Sequence, residues 1–448
     1  MTKRLLLILI LALLPVLLLP ARPAAAATDL TTTEVSIPVA GGKTLAGTVY
    51  APRDAAGPLP GLVLVHGSGN GTRKSVTPEA LAFARQGIAV LAYDKRPLDQ
   101  PEYELLAGDA AAAARVLRGT PGVNPAAVGL WGISEGGWVM PLAVQQSPDI
   151  SFLVLASAPG LSPLRVQNWN MRNKLAAAGV SGALTGTLSD RFYRLANDAG
   201  LFAEAGHDPR PPLAALRIPV LAVYGTDDTQ VPAAESIAVL RATVIAPLTV
   251  RTLPGAGHTL RVLDGDGTFT DELYAGYPEL VGDWIRARPA PHSDVAPAQQ
   301  AYSVALAPSA WWESWPAQLA TLAVLLIGFL AYPLIAVVRR LRRRPATVTR
   351  PARVAAVAGP AVVLGAVTYF VLVLDGANWK GIDPGPMAAG RPVLWIALQA
   401  LALILLIATV MTASAWRAAT GDRLRLGLLL TSGVLFVPWG LYWGLLLP

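Results

Sequence analysis

Leu130-Trp131-Gly132-Ile133-Ser134-Glu135-Gly136-Gly137-Trp138-Val139-Met140 sets a serine at the centre of a Gly-x-Ser-x-Gly pattern. The spacing suits a sharp strand-to-helix turn. Small residues two before and two after the serine let the neighbouring elements approach closely, and the hydroxyl is pushed out above a sheet beside a helix N-terminus. The flanks agree. Ala127–Trp131 is an apolar run of strand length, and Gly137–Val144 starts a buried helix.

Three further stretches carry chemistry-bearing residues. Val63-Leu64-Val65-His66-Gly67-Ser68-Gly69 runs a buried-type strand into a glycine-rich loop, which can aim a backbone N–H at a developing oxyanion. Val220–Pro232 ends a strand in Gly225-Thr226-Asp227-Asp228-Thr229-Gln230-Val231-Pro232, a turn with two carboxylates. Leu253-Pro254-Gly255-Ala256-Gly257-His258 is a short turn ending in histidine. The order along the chain is serine, aspartate, histidine.

That order, with His66-Gly67-Ser68-Gly69, Tyr93-Asp94-Lys95-Arg96, the serine motif and the two later turns, resembles the α/β-hydrolases of the esterase and serine-aminopeptidase-like group over about residues 33–287. One feature departs from the pattern. Similar proteins continue Asp-Lys-Arg with Gly-x-Gly, whereas this chain has Pro97-Leu98-Asp99.

The resemblance implies Ser134 as nucleophile, His258 as base and Asp228 as the acid, counted three residues from Gly225 and three from Val231. Asp227 is the neighbouring alternative for the acid. Of the chain's four histidines, His292 falls in a linker, His207 in a proline-rich turn and His66 in the oxyanion loop, where a structural role is expected. The oxyanion donors are expected at Glu135 and at Ser68 or Gly69. Glu135 has a second reading, as a first-turn acid favoured by the helix dipole, and Asp94 reads as a loop brace. Such a site works through an acyl-enzyme without metal or organic cofactor.

Composition sets bounds on the rest. The 448 residues exceed one ordinary domain, and 53% are hydrophobic. Cysteine is absent, which excludes disulfides, a cysteine nucleophile and thiolate-bound metals. Met1–Arg4 is basic, Leu5–Leu19 apolar, and Ala21–Ala27 offers small residues for cleavage, so residues 1–27 read as a signal peptide. Four later stretches, about Ala317–Val338, Val354–Leu374, Val393–Thr412 and Leu426–Leu447, approach the ~20 residues that cross a bilayer.

Arg339, Arg340, Arg342, Arg343, Arg344, Arg350 and Arg353 lie between the first two stretches with no acidic residue, which assigns that loop to the cytoplasm. Arg417, Arg423 and Arg425 against Asp422 put the third connection on the same side, and no span shows a convincing internal charge. The domain before the spans is then extracytoplasmic, and Trp311, Trp312 and Trp315 fall where an aromatic belt belongs. The net charge of +7 is accounted for by the arginine loop, so topology, with affinity for a lipid surface, is preferred to nucleic-acid binding.

Along the chain, Thr31–Pro52 predicts a hairpin around Gly41-Gly42, followed by alternating strands and helices. Leu161–Leu216 breaks the alternation and predicts a small helical cap; Pro289–Pro308 predicts a linker. The expected fold is α/β, a doubly wound, mostly parallel α/β-hydrolase sheet with a small helical cap, followed by an all-α transmembrane domain. Its parts are residues 1–27, 28–287 with the cap at about 161–216, the linker 288–316, and 317–448. The expected activity is an exported, membrane-tethered serine hydrolase acting on a small-molecule ester or acyl substrate. A peptidase of the same fold, and a non-hydrolytic membrane sensor or transport component, are the alternatives.

Overall fold

The computed structural model describes residues 29–264, 269–288, 290–299, 301–343, 349–377, 381–414, 416 and 423–448. The expected signal peptide and part of each loop joining the long helices lie outside these residues.

The hairpin pairs β1 (Leu30–Val39) with β2 (Lys43–Pro52), antiparallel. Both join a sheet whose other strands are β3 (Leu59–Val65), β4 (Ala89–Tyr93), β5 (Val123–Ile133), β6 (Leu153–Ala156), β7 (Val220–Gly225) and β8 (Leu248–Leu253). The order is β1-β2-β4-β3-β5-β6-β7-β8, and every pairing from β4 onward is parallel. β3, β4, β6 and β7 read as apolar runs because helices cover both faces and alternation has no function there. One face packs α1 (Thr77–Arg85) and a helix at Tyr277–Ala287; the other packs α2 (Tyr103–Arg118) and α3 (Gly136–Gln146). Parallel strands in such a sheet end at one edge, and the loops after β3, β5, β7 and β8 gather there.

Between β6 and β7 the chain is helical: α4 (Pro163–Ala177), α5 (Ala183–Gly186), a π turn at Thr187–Arg191, α6 (Phe192–Asp198) and α7 (Arg210–Ala214). α8 (Ala233–Thr243) follows β7, and a short pair, β9 (Arg261–Leu263) and β10 (Phe269–Leu273), intervenes before α9 (Tyr277–Ala287). The sequence reading did not anticipate that pair.

Four helices close the chain: α10 (Trp315–Leu341), α11 (Arg350–Asp375), α12 (Val393–Ser414) and α13 (Arg423–Tyr442). Each is long and apolar enough to cross a membrane. The fourth ends at Tyr442, short of the expected Leu447, because Gly444 takes a left-handed turn (φ +78°) and Leu445 N–H returns to Gly440 O. Arg425, expected among the loop charges, is instead buried at the start of α13, its guanidinium 3.9 Å above the Tyr332 ring. A cation so placed faces the bundle interior, not lipid.

The segment after α9 is no loose spacer. Asp294 accepts from Thr252 N–H (2.9 Å) and pairs with Arg251, while Ser303 accepts from Arg165 Nε (2.6 Å) and donates to Glu235 Oε1 (2.9 Å). The Trp169 indole donates to Ala301 O (2.9 Å). These bonds hold the connection along the sheet's β8 end and the α4–α8 surface.

Candidate functional site

Ser134 sits between β5 and α3 in a left-handed conformation, φ 54°. A non-glycine residue held there costs of order 1–3 kcal/mol and persists only where the surroundings enforce it. The surroundings do so. Ser134 N–H donates to Ala156 O (3.1 Å), and Gly137 N–H closes the turn onto Ser134 O (2.8 Å). A Cβ on Gly136 would stand 3.0 Å from Val65 O, so only glycine lets α3 start against β3.

Asp228 and His258 meet across two loops. His258 Nδ1 lies 2.9 Å from Asp228 Oδ2, with the carboxylate fully buried and the imidazole 9% exposed. The other carboxylate oxygen accepts from Gln230 N–H (2.8 Å) and Val231 N–H (2.9 Å), which fixes its plane. The loops are locked together by Asp227 N–H to Ala256 O (3.0 Å), Thr226 N–H to Leu253 O (3.0 Å) and Gly255 N–H to Thr226 Oγ1 (2.8 Å). A Cβ at Gly225 would collide with the Ala256 carbonyl. Asp227 turns its carboxylate onto the Thr226 hydroxyl, 2.9 Å away, a turn-bracing contact. Among the described residues no hydrogen bond joins Ser134 Oγ to His258; such contacts are commonly long before substrate arrives.

The loop after β3 lies beside the serine: a Cβ built on Gly67 would be 3.6 Å from Ser134 Cβ. Ser68 and Gly69 are exposed there, and Gly69 is left-handed at φ +87°. His66 points away. Its Nε2 is 2.6 Å from Tyr93 O, and burial pushes its pKa below the ordinary histidine value. Asp94 accepts from Arg73 N–H (2.9 Å) and pairs with its guanidinium, bracing the loop.

Lys95 is the residue the sequence reading passed over. Its ammonium donates to Gly67 O (2.9 Å), Gly69 O (2.8 Å) and Glu135 Oε1 (2.6 Å), using all three protons. The two side chains are 8% and 5% exposed. Burial pushes the Glu135 carboxyl above the usual carboxylate range, and the Lys95 charge pulls it back. A trans peptide points its C=O and the following N–H in opposite directions. Holding Gly67 O towards Lys95 therefore turns the Ser68 N–H the other way. The signal was available: a glutamate inside a buried turn requires a partner, and Lys95 stood in a quoted motif. The adjacent Arg96 has a different task, gripping Asp109 through Nε (2.8 Å) and Nη2 (2.7 Å) and capping the Ala40 carbonyl.

A model described as "Alpha/beta hydrolase family" matches residues 62–272. A thiohydrolase of Aspergillus aculeatus is 35% identical over 116 residues, 24% of this chain and 35% of that protein. The chain thus spans about a third of the length of this relative. Among solved structures, an esterase from the archaeon Pyrobaculum calidifontis is 18% identical, covering 58% of this chain and 86% of its own, with a TM-score of 0.42. Dienelactone hydrolase from Anabaena variabilis is 16% identical over 57% and 97%, with a TM-score of 0.37.

The sheet-bearing part of this chain is an α/β-hydrolase. Within the hydrolase, the loop that departs from the family pattern, Pro97-Leu98-Asp99, is tied to two neighbouring segments. Leu98 N–H donates to Asn70 Oδ1 (3.2 Å), and Gln100 reaches the helical segment, donating to Gly200 O (3.1 Å) and accepting from Ala203 N–H (2.8 Å). A second unanticipated contact is Asn173 of α4, whose amide donates to Thr229 O (2.9 Å), one residue from Asp228. Among the described residues no cluster of histidine and acidic side chains suits a metal.

Proposed function

We propose that this protein is an exported, membrane-tethered serine hydrolase that cleaves carboxylic esters through Ser134, His258 and Asp228. The observation that carries the reading is the buried 2.9 Å contact between His258 Nδ1 and Asp228 Oδ2, at the sheet edge that also bears the strained Ser134. With Nδ1–H given to Asp228, the His258 Nε2 lone pair is free to take the Ser134 proton. Ser134 Oγ attacks the ester carbonyl carbon. The negative charge on the carbonyl oxygen is met by the N–H of Glu135, at the start of α3 and without a partner among the described residues, and by the Ser68–Gly69 loop. The carbon–oxygen bond to the alcohol breaks, and His258 gives the alcohol its proton. Water, deprotonated by the same nitrogen, then attacks the acyl-enzyme, releasing the acid and restoring Ser134. Lys95 is a positioning residue in this scheme, clamping both parts of the oxyanion hole.

The extracytoplasmic placement is supported by the arginines at the end of α10 and the start of α11, Arg339, Arg340, Arg342, Arg343, Arg350 and Arg353, at the opposite end of the bundle from the hydrolase. Among the described residues, the hydrogen bonds, the ion pair and the cation–π contact from the hydrolase to the bundle fall at Glu313–Trp315, Gly390 and Tyr442–Pro448. One experiment tests both claims. A biotinylated fluorophosphonate that does not cross membranes is added to intact spheroplasts. Labelling of wild type, and none of Ser134→Ala, is expected. Labelling that needs lysis reverses the sidedness, and absence of labelling after lysis removes the nucleophile.

A further inference from the structure

The helical segment between β6 and β7 belongs to two bodies at once. Towards the hydrolase, Asn173 bonds the Asp228 loop, Gln100 bonds Gly200 and Ala203, and Glu204 accepts from Tyr103 N–H (2.9 Å). Towards the bundle, Met171, Leu175, Val180, Leu184 and Leu188 share one apolar core with Leu325, Phe329, Trp395, Phe436 and Trp443. The junction is also bonded. Ala183 N–H donates to Pro448 O (3.0 Å), Thr187 Oγ1 donates to Trp443 O (3.1 Å), and Asp198 accepts from Trp315 N–H (2.8 Å). Arg194 and Glu313 pair at 2.9 Å.

Two consequences follow. First, a segment bonded on one side and packed on the other is a fixed collar: swinging it open would expose Leu175 and Leu184, which are 0% and 1% accessible. Second, the depth of the collar is set. Trp311, Trp312 and Trp315 are 83%, 45% and 46% exposed at the start of α10, the position of an interfacial aromatic belt. α6 is bonded to that level through Arg194 and Asp198, and Leu201, just beyond it, is 71% exposed. α4 separates the Asp228 loop from the bundle core, and one helix with side chains is about 10–12 Å thick.

We infer that the site is fed from the lipid surface, and that its substrate is an ester whose long acyl chain remains in the outer leaflet while its carbonyl reaches Ser134. The inference rests on the hydrolase reading above. A collar fixed at headgroup depth holds the site beside the leaflet, where an amphiphile is already concentrated and oriented.

The test uses the full chain in phosphatidylcholine nanodiscs with two probes, p-nitrophenyl hexadecanoate dissolved in the disc and p-nitrophenyl butyrate in water. The expected kcat/KM is about tenfold or more higher for the disc-held ester, given the lipid affinity of each added methylene, and its rate follows mole fraction in the disc, not bulk concentration. Equal or better turnover of the butyrate, or a rate that follows bulk concentration, overturns the inference. Fluorophosphonate labelling of the same discs separates the failures. Labelled Ser134 without turnover of either probe overturns the substrate class alone; unlabelled Ser134 overturns the hydrolase reading with it.

Discussion

The carboxyl edge of the sheet and the hydrolase-facing end of the helix bundle grip α4 from opposite sides, and they do so by different physics. At the sheet edge the contacts are polar, short and few. The Asp228 carboxylate and the Lys95 ammonium each make three hydrogen bonds between 2.6 and 2.9 Å, one of them to His258 and to Glu135 respectively. At the bundle the contact is a broad apolar core between residues some 140–270 positions apart, with scattered bonds at its rim. Directional bonds fix individual atoms to a few tenths of an ångström, which a reacting group needs. Apolar packing fixes the placement of whole elements and tolerates exchange of individual side chains. A change at the edge should therefore act on turnover, and a change at the junction on stability.

The largest effect is expected at the acid. Asp228→Asn should lower kcat about 10⁴-fold, because an amide stabilises the wrong imidazole tautomer. Asp227→Asn should cost far less, since among the described residues the Asp227 carboxylate bonds only the neighbouring Thr226 hydroxyl. Steady-state kinetics of the two variants checks this, and a reversed order would move the acid by one residue.

Next is the clamp. Lys95→Met should lower kcat about 10²-fold, with KM little changed, as expected when an oxyanion donor is misaimed. It should also destabilise the fold, because Glu135 is left buried without its partner. The pair Lys95→Met with Glu135→Leu separates the two effects. Thermal stability should return towards wild type while kcat stays low. Recovery of kcat together with stability would reduce Lys95 to a structural role.

The smallest effect on turnover is expected at the junction. Leu175→Ala removes a fully buried side chain from the shared core. It should cost about 2–5 kcal/mol of stability, read by denaturation in detergent, with kcat on a soluble ester within about threefold of wild type at a temperature where both are folded. A kcat loss comparable to that of Lys95→Met would erase the contrast between the two regions.

The same contrast explains what the sequence disclosed. The sheet edge was legible because strained turns, close approaches and strand runs leave local signatures, such as Gly132-Ile133-Ser134-Glu135-Gly136 and the Gly225–Pro232 turn. The hairpin, the alternation and the four long apolar helices were legible for the same reason, periodicity and length. Lys95 was named only within a motif, since its contacts join three separate loops. The bundle-facing role of Met171, Leu175 and Leu184 left no signature: an amphipathic helix announces an apolar face but not the surface that covers it. Pro289–Pro308 looked like a spacer by composition, and only the Asp294, Ala301 and Ser303 contacts show a docked strap. Arg425 was counted with its loop because charge patterning cannot tell a loop end from a buried first turn.

The reactive serine is the claim on which the rest depends, and the most direct measurement of it is capture of the acyl-enzyme. The full chain is mixed with p-nitrophenyl hexadecanoate in nanodiscs, quenched with acid in the first turnover and digested for peptide mass analysis. The account predicts a burst of p-nitrophenol and an acyl group on the peptide bearing Ser134, absent in Ser134→Ala. An acyl group on any other residue, or product formed at the wild-type rate by Ser134→Ala, would contradict it.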